Sequence, residues 1–408
     1  MRRTMIGLGA AVLALCLSSP ALADPAPGER SGGHGHGDGR FGRATLTAFA
    51  SLPAETYVPG SEPSGAQLGT EPSNGITPPF PGQPVQGFSG VARRHDGTFD
   101  VLSDNGYGQK ANSADFLLRV QRVKPDFRGG KIKVLGGVDL RDPDHRVPFA
   151  LTRADRRLTG ADFDVESMVR NPDGTYYIGD EFGPFLLHFS ASGKLLRAPV
   201  ALPGVQAPEN PHLDGGTPNL GSSKGFEGMA RAVDGRALYP LLEGTVTGDP
   251  AGTLRMYEFD LRRRAYTDRR WVYRLEAPAN AIGDMISVDR DRFLVIERDN
   301  NQGDAAAFKK VFLIDVRDRD RDGAVDKTQV ADLLDLANPR RVGGFGTTFR
   351  FPFQTIEDVV ILDDSTLGLL NDNNFPFSSG RTPGKADDNE FITVRLTGRL
   401  GADPRAYR

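Results

Sequence analysis

Apolar and polar residues alternate with period two along most of the chain, and only short stretches such as ADLLDLAN (331–338) carry helical spacing. The alternation predicts many short strands and few helices. In GFEGMARAVDGRALYPLLEG (225–244) two alternating runs flank Asp234-Gly235, a dipeptide that favours a tight hairpin turn. The turn lies midway between Glu227 and Glu243, which predicts their carboxylates as cross-strand neighbours about 5 Å apart. Like charges so placed cost stability unless something positive lies between them.

The pattern recurs. Residues 87–106 set Ser89 and Asp104 around Asp96-Gly97, and residues 164–183 set Glu166 and Asp180 around Asp173-Gly174. Residues 282–301 set Asp284 and Glu297 around Arg290-Asp291, and residues 355–374 set Glu357 and Asp372 around Asp364-Ser365. Further strand-like sequence follows: FLLHFSASGKLL, LRMYEFDLRRRAY, KKVFLIDV and FITVRL. Two inner and two outer strands per unit is the plan of a propeller blade. The units begin 57 to 77 residues apart, longer than a bare blade of about 40 to 50 residues, so long loops are expected. The fold class read from this is all-β, a β-propeller of five to six blades. Six is the favoured count, the sixth hidden in 41–86 or in the wide spacings. RATLTAFASL (43–52) supplies a strand that completes the last blade.

Inner strands of a propeller line a channel, so the same end of every blade points to one mouth. Asp104, Glu166, Asp180, Glu227, Glu243, Asp284, Glu297, Glu357 and Asp372 are expected to converge there, thickened by Glu181, Asp299 and Asp358. Repulsion on that scale calls for bound cations. Many oxygen ligands without His or Cys point to calcium. The alternative is that these acids cap strand ends and accept hydrogen bonds from backbone amides between blades. A second calcium signal is DRDRDGAVDKTQ (318–329), where Asp318, Asp320 and Asp322 alternate before Gly323, although Gln329 replaces the usual bidentate Glu.

Residues 1–23 read as a secretory signal peptide: two arginines, an apolar run and Ala21-Leu22-Ala23, with cleavage expected after Ala23. Residues 24–40 form a Gly/His-rich leader expected to be disordered, in which His34 and His36 offer a weak metal site. One domain is expected over 41–400. The single cysteine, Cys16, falls inside the signal segment, so packing and bound ions must supply stability without disulfides. The formal net charge is −3, with no basic tail and no later apolar run long enough to span a bilayer. Nucleic-acid and membrane partners are therefore not expected, and the expected state is a secreted monomer.

The segments GFEGMA, DVESMV…YYIGDEFGP, FLVIERDN and IEDVVIL…LGLLNDNNFP resemble the phytase-like family labelled "esterase-like activity of phytase". The resemblance covers roughly residues 41–396 and is similar in kind to the β-propeller phytases, in which calcium ions at one mouth hold and activate phosphate esters. It implies a propeller and makes phosphoesterase activity an expectation; family membership alone does not settle a substrate.

The chemistry is coherent on the residues. Carboxylate-bound cations clamp phosphate oxygens and lower the pKa of bound water. Lys224 and Arg298 fall at the acidic mouth as candidate substrate contacts, with plain salt bridges as the alternative. No catalytic base is identified. GSSKG (221–225) matches G-x-S-x-G around Ser223 but lacks the strand-to-helix context of a nucleophile elbow. Long Pro/Gly-rich loops at 71–86, 197–224 and 373–390 are candidate walls of the site. The reading is a secreted calcium-binding propeller that hydrolyses a small-molecule ester or phosphoester. The alternatives are a non-catalytic ligand- or partner-binding propeller and a metal-dependent lactonase or esterase on the same architecture.

Overall fold

A computed structural model describes residues 41–407; the signal-peptide and leader readings, on residues 1–40, lie outside the described residues. In chain order the strands are β1 (Thr45–Leu52), β2 (Phe88–Arg93), β3 (Phe99–Ser103), β4 (Arg119–Asp126), β5 (Lys131–Asp139), β6 (Val165–Arg170), β7 (Tyr176–Asp180) and β8 (Phe185–Phe189). They continue with β9 (Val200–Ala201), β10 (Gly228–Arg231), β11 (Ala237–Leu241), β12 (Thr253–Asp260), β13 (Ala265–Arg274), β14 (Ala281–Ser287) and β15 (Arg292–Arg298). The last are β16 (Lys309–Asp315), β17 (Asp326–Asp332), β18 (Leu336–Ala337), β19 (Thr348–Phe349), β20 (Thr355–Asp363), β21 (Thr366–Asp372) and β22 (Asn389–Arg395). The only helical pieces among the described residues are short 3-10 turns. ADLLDLAN, whose spacing looked helical, closes β17 and forms β18 instead.

Four-stranded antiparallel units follow one another as β2–β5, β6–β9, β10–β13 and β14–β17. The fifth is β20–β21–β22 completed by β1, which runs antiparallel to β22 from Thr45 opposite Arg395 to Leu52 opposite Asn389. The N-terminal strand therefore latches the last unit, as its sequence suggested. The inner strands touch in a closed order, β2 to β6 to β10 to β14 to β20 and back to β2. This is a β-propeller.

The preference for six blades is corrected: the described strands make five such units. Within 41–86, where a sixth was sought, residues past β1 contribute only isolated bridges, Tyr57 to Pro84, Ser64 to Phe80 and Ser73 to Ile76. Prolines lack the amide that a ladder needs. This segment packs Ala54, Ile76 and Phe80 against Tyr107, Phe116 and Phe375 instead.

Alternation explains the packing. Both faces of the second strand of each blade are buried, and the apolar clusters lie between neighbours. Leu102 and Val120 meet Met168 and Ile178 between the first two units. Val169 and Leu186 meet Met229 and Leu238 between the second and third, and Leu241 and Met256 meet Ile282 and Val295 between the third and fourth. Leu294 and Ile296 pack on Val359 and Ile361, and Val91 and Val101 pack on Val360 and Leu370 to close the ring. Each such buried side chain contributes about 1.5–3 kcal/mol.

Candidate functional site

Four of the five inner strands carry an irregularity near their start. The ladder skips Ser89 in β2, Glu166 in β6, Gly283 in β14 and Glu357 in β20. Glu227 holds the equivalent place just before β10, its amide donating to the Gly225 carbonyl at 3.1 Å. A bulge leaves its extra residue unpaired and re-aims the side chain. The repeated position is thus Ser89, Glu166, Glu227, Gly283 and Glu357.

This corrects the reading of Asp284, which is one residue beyond the equivalent position. Its carboxylate accepts from the amides of Met285 (2.7 Å) and Val359 (2.9 Å), tying the fourth blade to the fifth. Gly283 is required where it is, since a Cβ there would stand 2.0 Å from the Ile356 carbonyl oxygen. The fourth blade so offers no side chain at the ring position. Arg298 of β15 lies between the flanking blades' acids instead. Its Nη2 is 3.5 Å from Glu227, 3.3 Å from Glu243 and 3.2 Å from Glu357, and its side chain is only 4% exposed. The positive group demanded by the facing glutamates is supplied by the chain itself.

Glu297 is the second correction. Period-two alternation puts it and Arg298 on opposite sides of β15. With Arg298 turned to the glutamates, Glu297 accepts from Tyr273 Oη (2.8 Å), the Glu276 amide (2.7 Å), Asn280 Nδ2 (2.8 Å) and Lys327 Nζ (2.7 Å). It is a structural acid between outer strands.

Two carboxylate groups stand out. Asp164, Glu166 and Glu181 each offer an oxygen within 4.8 Å of the others, and so do Glu181, Glu227 and Glu243. Glu181 belongs to both. Gly225 makes this possible, because a Cβ there would lie 2.5 Å from the Glu181 Cα. Asp164 Oδ1 and Glu181 Oε1 are buried without a hydrogen-bond partner, a costly arrangement for an oxygen. Burial, reinforced by neighbouring carboxylates, pushes the Glu166, Glu181 and Glu227 carboxyls well above their ordinary range.

Asp164 is the acid that the sequence reading missed. It stands two residues before Glu166 in DVESMV, the spacing that puts extended residues on one side. Ser223, in a left-handed conformation (φ 44°), donates to Asp164 Oδ2 at 2.6 Å. That bond, in place of a histidine partner, accounts for the residue at the centre of GSSKG. Lys224 follows it, donates to Glu243, and keeps 43% of its side chain exposed.

The remaining predicted acids divide by partner. Asp180 is saturated by the amides of Asp164 (2.9 Å) and Gly183 (2.7 Å), which fits the strand-capping alternative. Asp104 Oδ1 accepts from Gln86 Nε2 (2.9 Å) and the Gly106 amide (2.8 Å); burial and nearby Asp164 push this carboxyl up to about 7. Asp372 accepts from the Asn374 amide at 2.7 Å and Thr355 Oγ1 at 3.2 Å. Ser89 donates to Glu357 Oε2 at 3.0 Å, so the first blade's serine stabilises the fifth blade's acid. Asp358 is buried with neither oxygen partnered. In the separate surface loop, Asp318 and Asp320 gather with Asp326. Asp322 does not join them, because Arg274 holds it at 2.6 Å and the Ala324 amide at 2.9 Å.

A propeller with buried carboxylates at one mouth defines the class. The model of the phytase-like family, "Esterase-like activity of phytase", matches residues 83–375, and the chain belongs to that family. It is also 23% identical over 225 residues to an "Uncharacterized secreted protein" of Arthroderma benhamiae, a match spanning 45% of this chain and 43% of that protein's length. Among solved structures it is similar to an exo-β-1,3-galactanase from Phanerochaete chrysosporium (TM-score 0.40, 8% identity, 86% of this chain and 64% of that one). A putative 6-phosphogluconolactonase from Bacteroides uniformis is similar at TM-score 0.33 and 12% identity, over 80% of this chain and 75% of that one. No helix among the described residues is long and apolar enough to cross a membrane.

Proposed function

We propose that this protein is a secreted, calcium-dependent phosphoester hydrolase whose site is the pair of carboxylate groups sharing Glu181. The observation that carries the reading is the shared Glu181 itself, buried with Oε1 unpartnered beside an equally unpartnered Asp164 Oδ1. Oxygen-only ligand sets suit calcium. Asp164 and Glu166 would hold one ion, Glu227 and Glu243 another, with Glu181 between them. Bound cations would supply charge stabilisation for phosphate oxygens and an acidified water.

The chain's own residues do the rest. Arg298 offsets the charge of Glu227, Glu243 and Glu357 and holds them in place. Its burial and three partners favour this role over the substrate contact expected from sequence. Lys224 is exposed enough to reach an anionic substrate while anchored on Glu243. Ser223 orients Asp164. Secretion is supported by the naming of the Arthroderma benhamiae relative.

The test is a hydrolysis screen across phosphomonoesters, phosphodiesters, lactones and carboxyl esters, with calcium and with EDTA. Calcium-dependent release of phosphate, reduced in Lys224→Met, is expected. Hydrolysis of lactones or carboxyl esters alone would replace the substrate class, and calcium binding without any hydrolysis would favour the ligand-binding alternative.

A further inference from the structure

The acidic ring has a counterpart at the opposite end of the same strands. Four residues after Ser89, Glu166 and Glu227 come Arg93, Arg170 and Arg231, one from each of the first three blades. Four extended residues separate the two rings by about 13 Å. Between them runs a cavity of about 420 Å³ whose lining includes Val91, Met168, Met229, Met285 and Val359, one residue from each blade. The three arginines line its far end, joined by His95 and by the C-terminal turn through Arg405 and Tyr407.

These guanidinium groups are poorly compensated. Arg93 donates to two carbonyls, Leu362 (2.9 Å) and Tyr407 (3.3 Å), and forms no ion pair among the described residues. Arg170 shares Asp100 (3.2 Å) with Arg94 (2.9 Å) and Arg122 (3.8 Å), three cations on one carboxylate. Arg231 has no carboxylate at ion-pair distance among the described residues, and its Nε is buried without a hydrogen-bond partner. The turn acids nearby are engaged locally: Asp96 by Thr98 and Asp173 by Thr175, and Asp234 by the Arg236 amide. An arginine cluster with a methionine-lined chamber behind it, whose one lining carboxylate, Asp284, is engaged by the amides of Met285 and Val359, is complementary to an anion carrying an apolar body.

We propose that the far end of the channel is a second ligand site, separate from the acidic mouth, for a small organic oxyanion. Its carboxylate or phosphate would lie against Arg231, Arg93 and Arg170, and its apolar portion would fill the space between the methionines. Carboxylate and phosphate share the recognising chemistry, and the probes distinguish them.

Binding of hexanoate, hexyl phosphate, inorganic phosphate and hexanol to the mature chain would be measured by calorimetry, in EDTA and in calcium. One or both hexyl anions are expected to bind one per chain, more tightly than inorganic phosphate or hexanol, and equally well in EDTA. Arg231→Met should weaken that binding by roughly tenfold to a hundredfold, the loss of one charge-assisted contact, and Arg231→Lys should restore part of it. Arg405→Glu, at a side chain 58% exposed, should weaken it without touching the core and so reports even if Arg231→Met does not fold. Hexanol binding as tightly as the anions, full affinity in Arg231→Met or Arg405→Glu, or binding only with calcium would each overturn the proposal.

Discussion

Arg298 and Glu357 lie 3.2 Å apart across the junction of the fourth and fifth blades, both buried, with Glu227 and Glu243 on the same guanidinium. Arg298→Met would therefore leave buried Glu227 and Glu357 without their cation, and Glu243 with Lys224 alone. Removing one partner of a buried pair costs about 3–5 kcal/mol. Urea unfolding in EDTA should show a loss of that order, and calcium should recover part of it. A loss below about 1 kcal/mol in EDTA would show that the guanidinium is not what holds these acids together.

Gly283→Ala tests the other half of that arrangement. Its methyl group would collide with the Ile356 carbonyl oxygen, and overpacking of this kind costs about 1–3 kcal/mol. Thermal unfolding should register the loss without a change in calcium stoichiometry, since this position offers no ligand. An unchanged melting temperature would mean that the inner strands of the fourth and fifth blades are not so closely apposed.

Without metal, the mouth should make stability fall as pH rises. Burial raises the carboxyl of Asp104 to about 7, and those of Glu166, Glu181 and Glu227 above their ordinary range. The folded state therefore holds protons that the unfolded state has released. Their stabilising contribution is complete below about pH 4 and is lost as pH climbs through 7 and beyond. In EDTA the unfolding free energy should drop across that window. With calcium replacing the protons the drop should shrink. A pH-independent stability in EDTA would contradict the burial of these groups.

Most of the fold was legible because turn residues midway between alternating runs pin the hairpins, so unit order and a strand at 43–52 completing the last blade followed from turns and alternation together. The site was legible only to within a residue. A bulge adds one residue to a strand without disturbing its composition, and one residue exchanges the two faces. That is why Asp284 was read in place of Gly283; Glu297 was placed at the mouth together with Arg298 although the two lie on opposite sides of β15. The sixth blade failed for a different reason: past β1, the 41–86 stretch carries prolines where ladder amides are needed. Asp164 was open to discovery, two residues from Glu166. The pairing of Asp326, in place of Asp322, with Asp318 and Asp320 was not, since it depends on Arg274 from another blade.

Calcium stoichiometry of Glu181→Gln against wild type addresses the shared carboxylate most directly. Elemental analysis after equilibrium dialysis, with the surface loop silenced by Asp320→Asn in both proteins, counts the ions at the mouth. Two ions per chain in wild type, falling to one or none in Glu181→Gln with a lower calcium-induced rise in melting temperature, is the predicted result. No calcium at the mouth of wild type, or an unchanged count in Glu181→Gln, would contradict the account.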